Sequence, residues 1–375
     1  MKTIAFLAGA RPNYMKVFPV WKTVAAAKLP LHQILIHTGQ HYDELMSGVF
    51  FRDFDMEKPT HFLGVGSGPH GLQTARVMIA LEELFAKDRP DLLVVAGDVN
   101  STMAGALVAV KMGVPVAHIE SGLRSFDRTM PEEINRLVTD AVSDLLLTSC
   151  RDADAQLQRE GIPAGKIRFV GNVMIDSLVM MLPRAEASRT PGKLGVDGRP
   201  FVLVTLHRPS NVDEPARLKL LMENLAELGR QVQVVFPMHP RTRKMLEQSG
   251  IAAAAPGLLL TEPLSYLDFM ALEAQAALVI TDSGGVQEET SYLGIPCLTV
   301  RPNTERPVTI TEGTNRLLDP EKESLNVAAQ TAIRAGRRKT PCAIEGWDGK
   351  AAQRIALVLS EAMGVQRESE VKSVK

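Results

Sequence analysis

The stretch His118–Arg136, HIESGLRSFDRTMPEEINR, follows the apolar run VPVA and gathers four acidic and three basic residues. Charges at this density either line a solvated loop or converge on one polar ligand. In the second case carboxylates move protons or steady a developing cation, and arginines hold anionic groups. The same mixture recurs where other apolar runs end, at Arg11, Asp98, Glu120, His207, His239 and Asp282. Taken singly, each is an ordinary polar loop residue. In a parallel sheet such ends share one edge, the edge at which ligands bind.

The segment TDSGGVQEE (281–289) is the most specific of these ends. A strand stops, Ser283 can cap, and Gly284 and Gly285 let backbone approach a ligand as a helix begins. Free N–H groups and the positive end of the helix dipole then face outward, which suits a phosphate or diphosphate. A carboxylate one turn along can accept from ribose hydroxyls. The other reading is a tight strand-to-helix turn with surface glutamates. In GARPNYMK (9–16), Gly9 bends the chain and Arg11 and Lys16 flank a helix start. Cations there oppose the dipole, so a purely structural role is uncomfortable, and both could meet a diphosphate from the opposite side. GSGPHG (66–71) matches the dinucleotide fingerprint in form only, because it does not close the first βα unit and no acidic strand end follows at the right spacing. HTGQH places His37 and His41 four apart across a glycine and a strand end, so no helical metal pair is expected.

The elements that must position these residues alternate along the chain. TIAFLAG, HQILIHTG, DLLVVAGD, VPVAHIE, DLLLTS and KIRFVGN read as strands, with helices between them, the first from about Met15 to Ala27. From about Ser177 to Pro200 the pattern breaks into a Pro-, Gly- and charge-rich stretch that reads as a linker. It restarts with FVLVTLH, a helix near Leu218 to Leu228, VQVVFPMH, LLLTEP, ALVITDSG and PCLTV. Continuous apolar strands separated by helices imply parallel sheets covered on both faces. The expected organisation is an α/β chain of two doubly wound halves, 1–175 and 176–345, then a helix at 346–363 and a polar tail at 364–375.

Composition sets the outer limits. A formal net charge of −1 gives no long-range pull toward nucleic acid or an anionic membrane, so neither partner is expected. Cys150, Cys297 and Cys342 are odd in number and far apart, against a disulfide framework or a cysteine-based zinc site. No secretory pattern opens the chain and no apolar run approaches a membrane span. The expectation is a soluble cytoplasmic enzyme.

GARPNYMK, AGDVNST, HIESGLR, MPEEINR, LHRPSN, TDSGGVQEE and TERP occur in the order found in the non-hydrolysing UDP-N-acetylglucosamine 2-epimerases. The resemblance runs from Thr3 to about Met363. It implies the glycosyltransferase-B fold of two facing Rossmann-like domains, with the last helix crossing back to the first domain. It further implies inversion at C2 through loss of UDP to a 2-acetamidoglycal and its re-addition, in a homodimer, with no cofactor and no metal. Matched motif by motif, Asp98 and Glu132 become the proton-handling candidates, Glu120 a stabiliser of the cationic ring, and His207 the group that holds the diphosphate and helps UDP leave. Arg11, Lys16 and Arg136 fall near phosphates or sugar, Ser283, Gly284 and Gly285 at the diphosphate, and Glu289 at the ribose. Asp127, Arg128 and Glu133 are read as solvated, and a structural alternative for Glu120 is a partner for a nearby arginine.

Several positions depart from the pattern. Asn13 stands where well-known bacterial members have glutamate, VNST replaces a threonine run, and Pro209-Ser210 follows His207-Arg208 in place of Arg-Glu. Gln40, His41 and Arg208 match part of a second, regulatory UDP-GlcNAc site, but His70 stands where arginine is expected. These changes also resemble the 2-epimerases of UDP-2,3-diacetamido-2,3-dideoxy-glucuronate, for which Arg128 is a candidate cation facing C6. A hydrolysing epimerase, a transferase of the same fold and a nucleotide-sugar sensor remain open alternatives.

Overall fold

The computed structural model describes residues 1–39, 54, 58–251, 255–338 and 343–365, with only the backbone of Arg11 and Pro12. The chain forms two compact units, Met1–Val179 with Glu345–Lys375, and Met180–Ile344.

In the first unit the apolar runs become β1 (Lys2–Ala8), β2 (Leu31–His37), β3 (His61–Phe62), β4 (Leu92–Ala96), β5 (Val116–Ser121), β6 (Leu145–Thr148) and β7 (Ile167–Phe169). They pair in parallel in the order β3-β2-β1-β4-β5-β6-β7. Alternating side chains feed two cores. Ile4 and Phe6 pack with Val17 and Val20 of the helix Arg11–Ala26 and with Ile355 and Leu359 of the helix Ala351–Ala362. Ala5 and Leu7 pack on the other face with Val77, Leu81 and Phe85 of the helix His70–Lys87. A sheet buried on both faces needs such runs, because each successive side chain enters a core.

The second unit repeats the plan with β8 (Phe201–Thr205), β9 (Gln233–Pro237), β10 (Leu258–Thr261), β11 (Leu278–Thr281), β12 (Cys297–Thr299) and β13 (Asn315–Leu317), in the parallel order β10-β9-β8-β11-β12-β13. Val202 and Val204 enter one core with the helices Pro215–Gly229 and Leu325–Ala335. Phe201 and Leu203 enter the other.

Two local expectations are corrected. The first helix begins at Arg11 rather than near Met15. Pro12 suits a first turn, where its missing N–H costs nothing, and Asn13 Oδ1 accepts the amides of Gly9 and Ala10 at 3.1 Å each. The stretch expected as a linker is helical from Val173 to Glu186 and again at Thr190–Lys193. Ile175, Leu178, Met181 and Ala185 give it a buried stripe that outweighs Pro183. The boundary between the units falls inside this helix.

The helix Ala351–Ala362 is built into the first unit. Asp176 accepts the amides of Ala351 at 3.1 Å and Ala352 at 2.8 Å, which satisfies its first turn. Trp347 Nε1 donates to the Ser149 carbonyl at 3.1 Å. Among the described residues, no helix is long and apolar enough to cross a membrane.

Candidate active site

Strand order reverses beside the first strand of each sheet, between β1 and β4 in one unit and between β8 and β11 in the other. Loops leaving such strands diverge and leave a crevice beyond their carboxyl ends. Asp98 follows β4 in the first unit, and His207 and Asp282 follow β8 and β11 in the second, beside these crevices.

In the first unit, Gly97 and Asp98 follow β4. Arg136 Nη1 donates to Asp98 Oδ2 at 2.5 Å, with Arg136 3% and Asp98 29% exposed. Glu133 anchors that arginine, accepting from Nη2 at 2.7 Å and Nε at 3.1 Å. Glu133 also takes the amides of Ser125 and Phe126, each at 2.9 Å, and the Ser125 hydroxyl at 3.0 Å. Burial opposes charge on Glu133, but these amides and Arg136 outweigh it and hold its carboxyl below the usual range. The reading of Glu133 as solvated is therefore wrong, since it is buried as the organiser of the loop. Arg128 is exposed, as read. Asp127 is half-buried, and its carboxylate takes the Thr129 amide at 3.0 Å. Glu132 is half-buried in the first turn of the helix Pro131–Val142 that carries Glu133 and Arg136. Asn135 of that helix donates to the Asp98 carbonyl at 2.8 Å.

Glu120, the last residue but one of β5, is in a left-handed conformation, φ 66°, where the register with β6 shifts. A non-glycine residue held there is strained, and such strain concentrates at functional positions. Its carboxylate pairs with Lys16, so the partner is a lysine rather than an arginine, and both are buried. Gly97 makes room for this pair. Its φ is 65°, and a Cβ there would lie 2.6 Å from Lys16 Nζ. The rest of HIESGLR is a buried frame. His118 donates from Nε2 to the Gly97 carbonyl at 2.8 Å and meets Asp140 through Nδ1 at 2.7 Å. Asp140 also takes the Gly122 amide at 3.0 Å and pairs with Arg124 at 2.7 Å. Burial opposes its charge, but His118 and Arg124 prevail and hold its carboxyl below the usual range.

In the second unit, Asp282 is fully buried at the end of β11. It meets His207 Nδ1 at 3.0 Å, while the His207 ring stays 39% exposed. Ser283, Gly284 and Gly285 start the helix Gly284–Leu293, but Ser283 makes no side-chain cap bond, contrary to expectation. Its amide instead donates to Thr281 Oγ1 at 3.0 Å. Arg306 lies against this helix start, and a Cβ on Gly284 would come within 2.6 Å of its Nη1. Three arginines gather on the buried Glu305: Arg301 in a two-pronged pair at 2.8 Å, Arg208 at 3.5 Å and Arg306 at 3.7 Å. Burial opposes charge on Glu305, but the arginines keep its carboxyl far below the usual range. Arg306 also donates to Glu288 at 2.7 Å. Glu289 is buried and accepts from Tyr266 Oη at 2.7 Å. Behind it, burial and the neighbouring Glu289 push the Glu273 carboxyl well up.

Arg208 is thus placed beside Glu305. Gln40 and His41 lie outside the described residues, as does the side chain of Arg11. His70 is near Asn100 Nδ2 at 3.1 Å. The sequence reading missed Glu133, Asp140, Asp282 as a partner of His207, Arg301, Glu305 and Arg306. Glu133, Arg136 and Asp140 recur at helical spacing, and Arg306 lies in the quoted TERP motif, so signals for these existed.

Two Rossmann-like units with charged groups gathered at their switch points place the chain in the glycosyltransferase-B class of α/β folds. The family model for UDP-N-acetylglucosamine 2-epimerase matches residues 24–360. A UDP-N-acetylglucosamine 2-epimerase of Methanocaldococcus jannaschii is 40% identical over 95% of this chain and 98% of its own. A UDP-2,3-diacetamido-2,3-dideoxy-D-glucuronate 2-epimerase of Pseudomonas aeruginosa is 41% identical over 88% of this chain and 92% of its own. The solved M. jannaschii UDP-GlcNAc 2-epimerase in complex with UDP-GlcNAc and UDP superposes with a TM-score of 0.88 at 39% identity, covering 96% of this chain and all of that one. The chain belongs to the UDP-N-acetylglucosamine 2-epimerase family.

Proposed function

We propose that the protein interconverts UDP-N-acetylglucosamine and UDP-N-acetylmannosamine without hydrolysis. The C2 hydrogen of the sugar is not acidic, so direct deprotonation is too costly. In the proposed sequence the C1–O bond to phosphate breaks first and its electron pair leaves with UDP. A carboxylate then removes the C2 proton and C1=C2 forms. Return of a proton to the opposite face of C2 and re-addition of UDP complete the inversion. Asp98 and Glu132 handle protons, Glu120 steadies the cationic ring, and His207 with the Gly284 helix start takes the diphosphate. Arg306 and Arg208 add positive charge on that side.

The observation that carries this reading is Asp98. It is a part-exposed carboxylate at the switch point, oriented by a buried arginine that is itself locked by Glu133. Carboxylates so placed and so fixed suit proton transfer at a carbon whose position is set by remote binding.

The deciding assay is incubation with UDP-GlcNAc in D₂O followed by proton NMR. Deuterium at C2 with UDP-N-acetylmannosamine appearing is the expected result. Free N-acetylmannosamine with UDP would indicate hydrolysis. Asp98→Asn should lower turnover by roughly 100-fold or more while UDP still binds, and near-normal turnover would remove Asp98 from its assigned role. A second reading has a specific basis, because the diacetamido-glucuronate epimerase is as similar to the chain as the UDP-GlcNAc enzyme is. The exposed Arg128 is its candidate contact for the substrate carboxylate, and exchange with that sugar alone would favour it.

A further inference from the structure

We propose that Asp282 is the positioning residue for His207, fixing which ring nitrogen meets the departing phosphate. The inference rests on the UDP elimination proposed above and concerns the second unit alone.

Asp282 and His207 come from neighbouring parallel strands. Thr281 of β11 is level with Thr205 of β8, and the Asp282 amide donates to the Thr205 carbonyl at 3.2 Å. The carboxylate therefore emerges directly beneath the loop that carries His207. Its two oxygens do different work. Oδ2 takes the amides of His207 at 3.0 Å and Arg208 at 2.9 Å, and Asn211 Nδ2 at 3.1 Å. Those bonds staple the loop. Oδ1 meets the ring at Nδ1, 3.0 Å away, and shares the His207 amide with Oδ2 at 3.2 Å. The ring contact is not needed to staple the loop.

A carboxylate oxygen only accepts, so the nitrogen facing it carries a proton. Nδ1–H is therefore fixed, and Nε2, on the far side of a part-exposed ring, is the nitrogen available to a ligand. Burial opposes charge on Asp282, but His207 and the loop donors outweigh it, so the carboxylate stays ionised. With Nδ1–H committed to the Asp282 carboxylate, a proton taken up on Nε2 faces the ligand and is free to be donated, its charge shared toward Asp282. When the C1–O bond breaks, the phosphate oxygen that gains the electron pair is met by that N–H. No further reactant is required.

The test is Asp282→Asn. An amide oxygen in the Oδ2 position keeps all three loop bonds, which turns the NH₂ toward Nδ1. The NH₂ can only donate, so the ring must place its proton on Nε2 and resists a second one. Long-range proton–nitrogen NMR on ¹⁵N-histidine protein, with His207→Gln used to assign the signal, should show Nδ1–H in the parent and the Nε2–H tautomer in the variant. Turnover should fall by roughly 100-fold, with UDP affinity within about threefold of the parent. An unchanged tautomer, or a switched tautomer with unchanged kcat, would overturn the proposal. The parent spectrum alone can also overturn it, by showing a neutral ring protonated on Nε2, even if the variant does not fold. The spectra need no substrate, so a parent that does not epimerise UDP-GlcNAc would refute the proposed function while the ring measurement still decides the role of Asp282.

Discussion

Glu133 shows how one residue sets the chemistry of others. It touches no strand end itself, yet it receives two amides, a hydroxyl and two nitrogens of Arg136. Arg136 in turn orients Asp98. Replacing Glu133 by Gln leaves the shape and removes the charge, so a buried guanidinium loses its main counter-ion. Breaking a buried pair from one side costs about 3–5 kcal/mol. Glu133→Gln should lower unfolding stability by about 3 kcal/mol in urea titration at pH 7 and reduce kcat/KM through Asp98. The parent carboxyl lies below its ordinary value of 4.5 when folded, so its contribution is complete above that pH and fades as pH falls through the folded value. A urea midpoint equal to the parent's would refute this role.

At the scale of elements, Asp176 joins two helices. It lies in Val173–Glu186 and caps Ala351–Ala362. Burial pushes its carboxyl up to about 6 from 3.8, although the two cap amides pull the other way. The folded state thus holds a proton that the unfolded state has released. The sign is therefore opposite to that for Glu133: Asp176 lowers stability as pH rises from about 4 to about 6, and is flat above. Asp176→Asn cannot titrate and keeps an acceptor for the cap. The difference in unfolding free energy between variant and parent should shift in favour of the variant by roughly 2 kcal/mol between pH 4 and pH 6.5, read by urea titration at both. A difference independent of pH would mean the carboxyl titrates normally.

At the scale of the whole molecule, the chain leaves its first unit near Val179 and returns to it at Glu345. The returning segment places Ala351, Ala352, Ile355, Ala356, Leu359 and Met363 in that unit's core. Burying its large side chains alone is worth roughly 5 kcal/mol, comparable with the net stability of a typical domain. A chain ending at Ile344 should therefore lose cooperative unfolding of the first unit, seen as an early, low-slope denaturant transition. The second unit, whose residues run unbroken from Met180 to Ile344, should keep its own transition. Two transitions unchanged from the full chain would show that the last helix is dispensable.

Much of this was determined by the sequence alone. Unbroken apolar runs make strands that can only be buried on both faces, and polar residues that end such runs must collect at one edge of a parallel sheet. That logic put Asp98, Glu120, His207 and the Gly284 helix start at strand ends, where the structure also has them, and the ordered motifs pointed to the family. Tertiary structure decided the pairings. Whether Glu133 faces water or Arg136, whether Glu120 meets a lysine or an arginine, and whether Asp282 serves the loop or the ring depend on which strands lie side by side. Strand order is set by packing between residues far apart in the chain, and local pattern does not encode it. The same holds for 177–186, where Pro and charge suggested a linker, but a buried apolar stripe kept the helix intact.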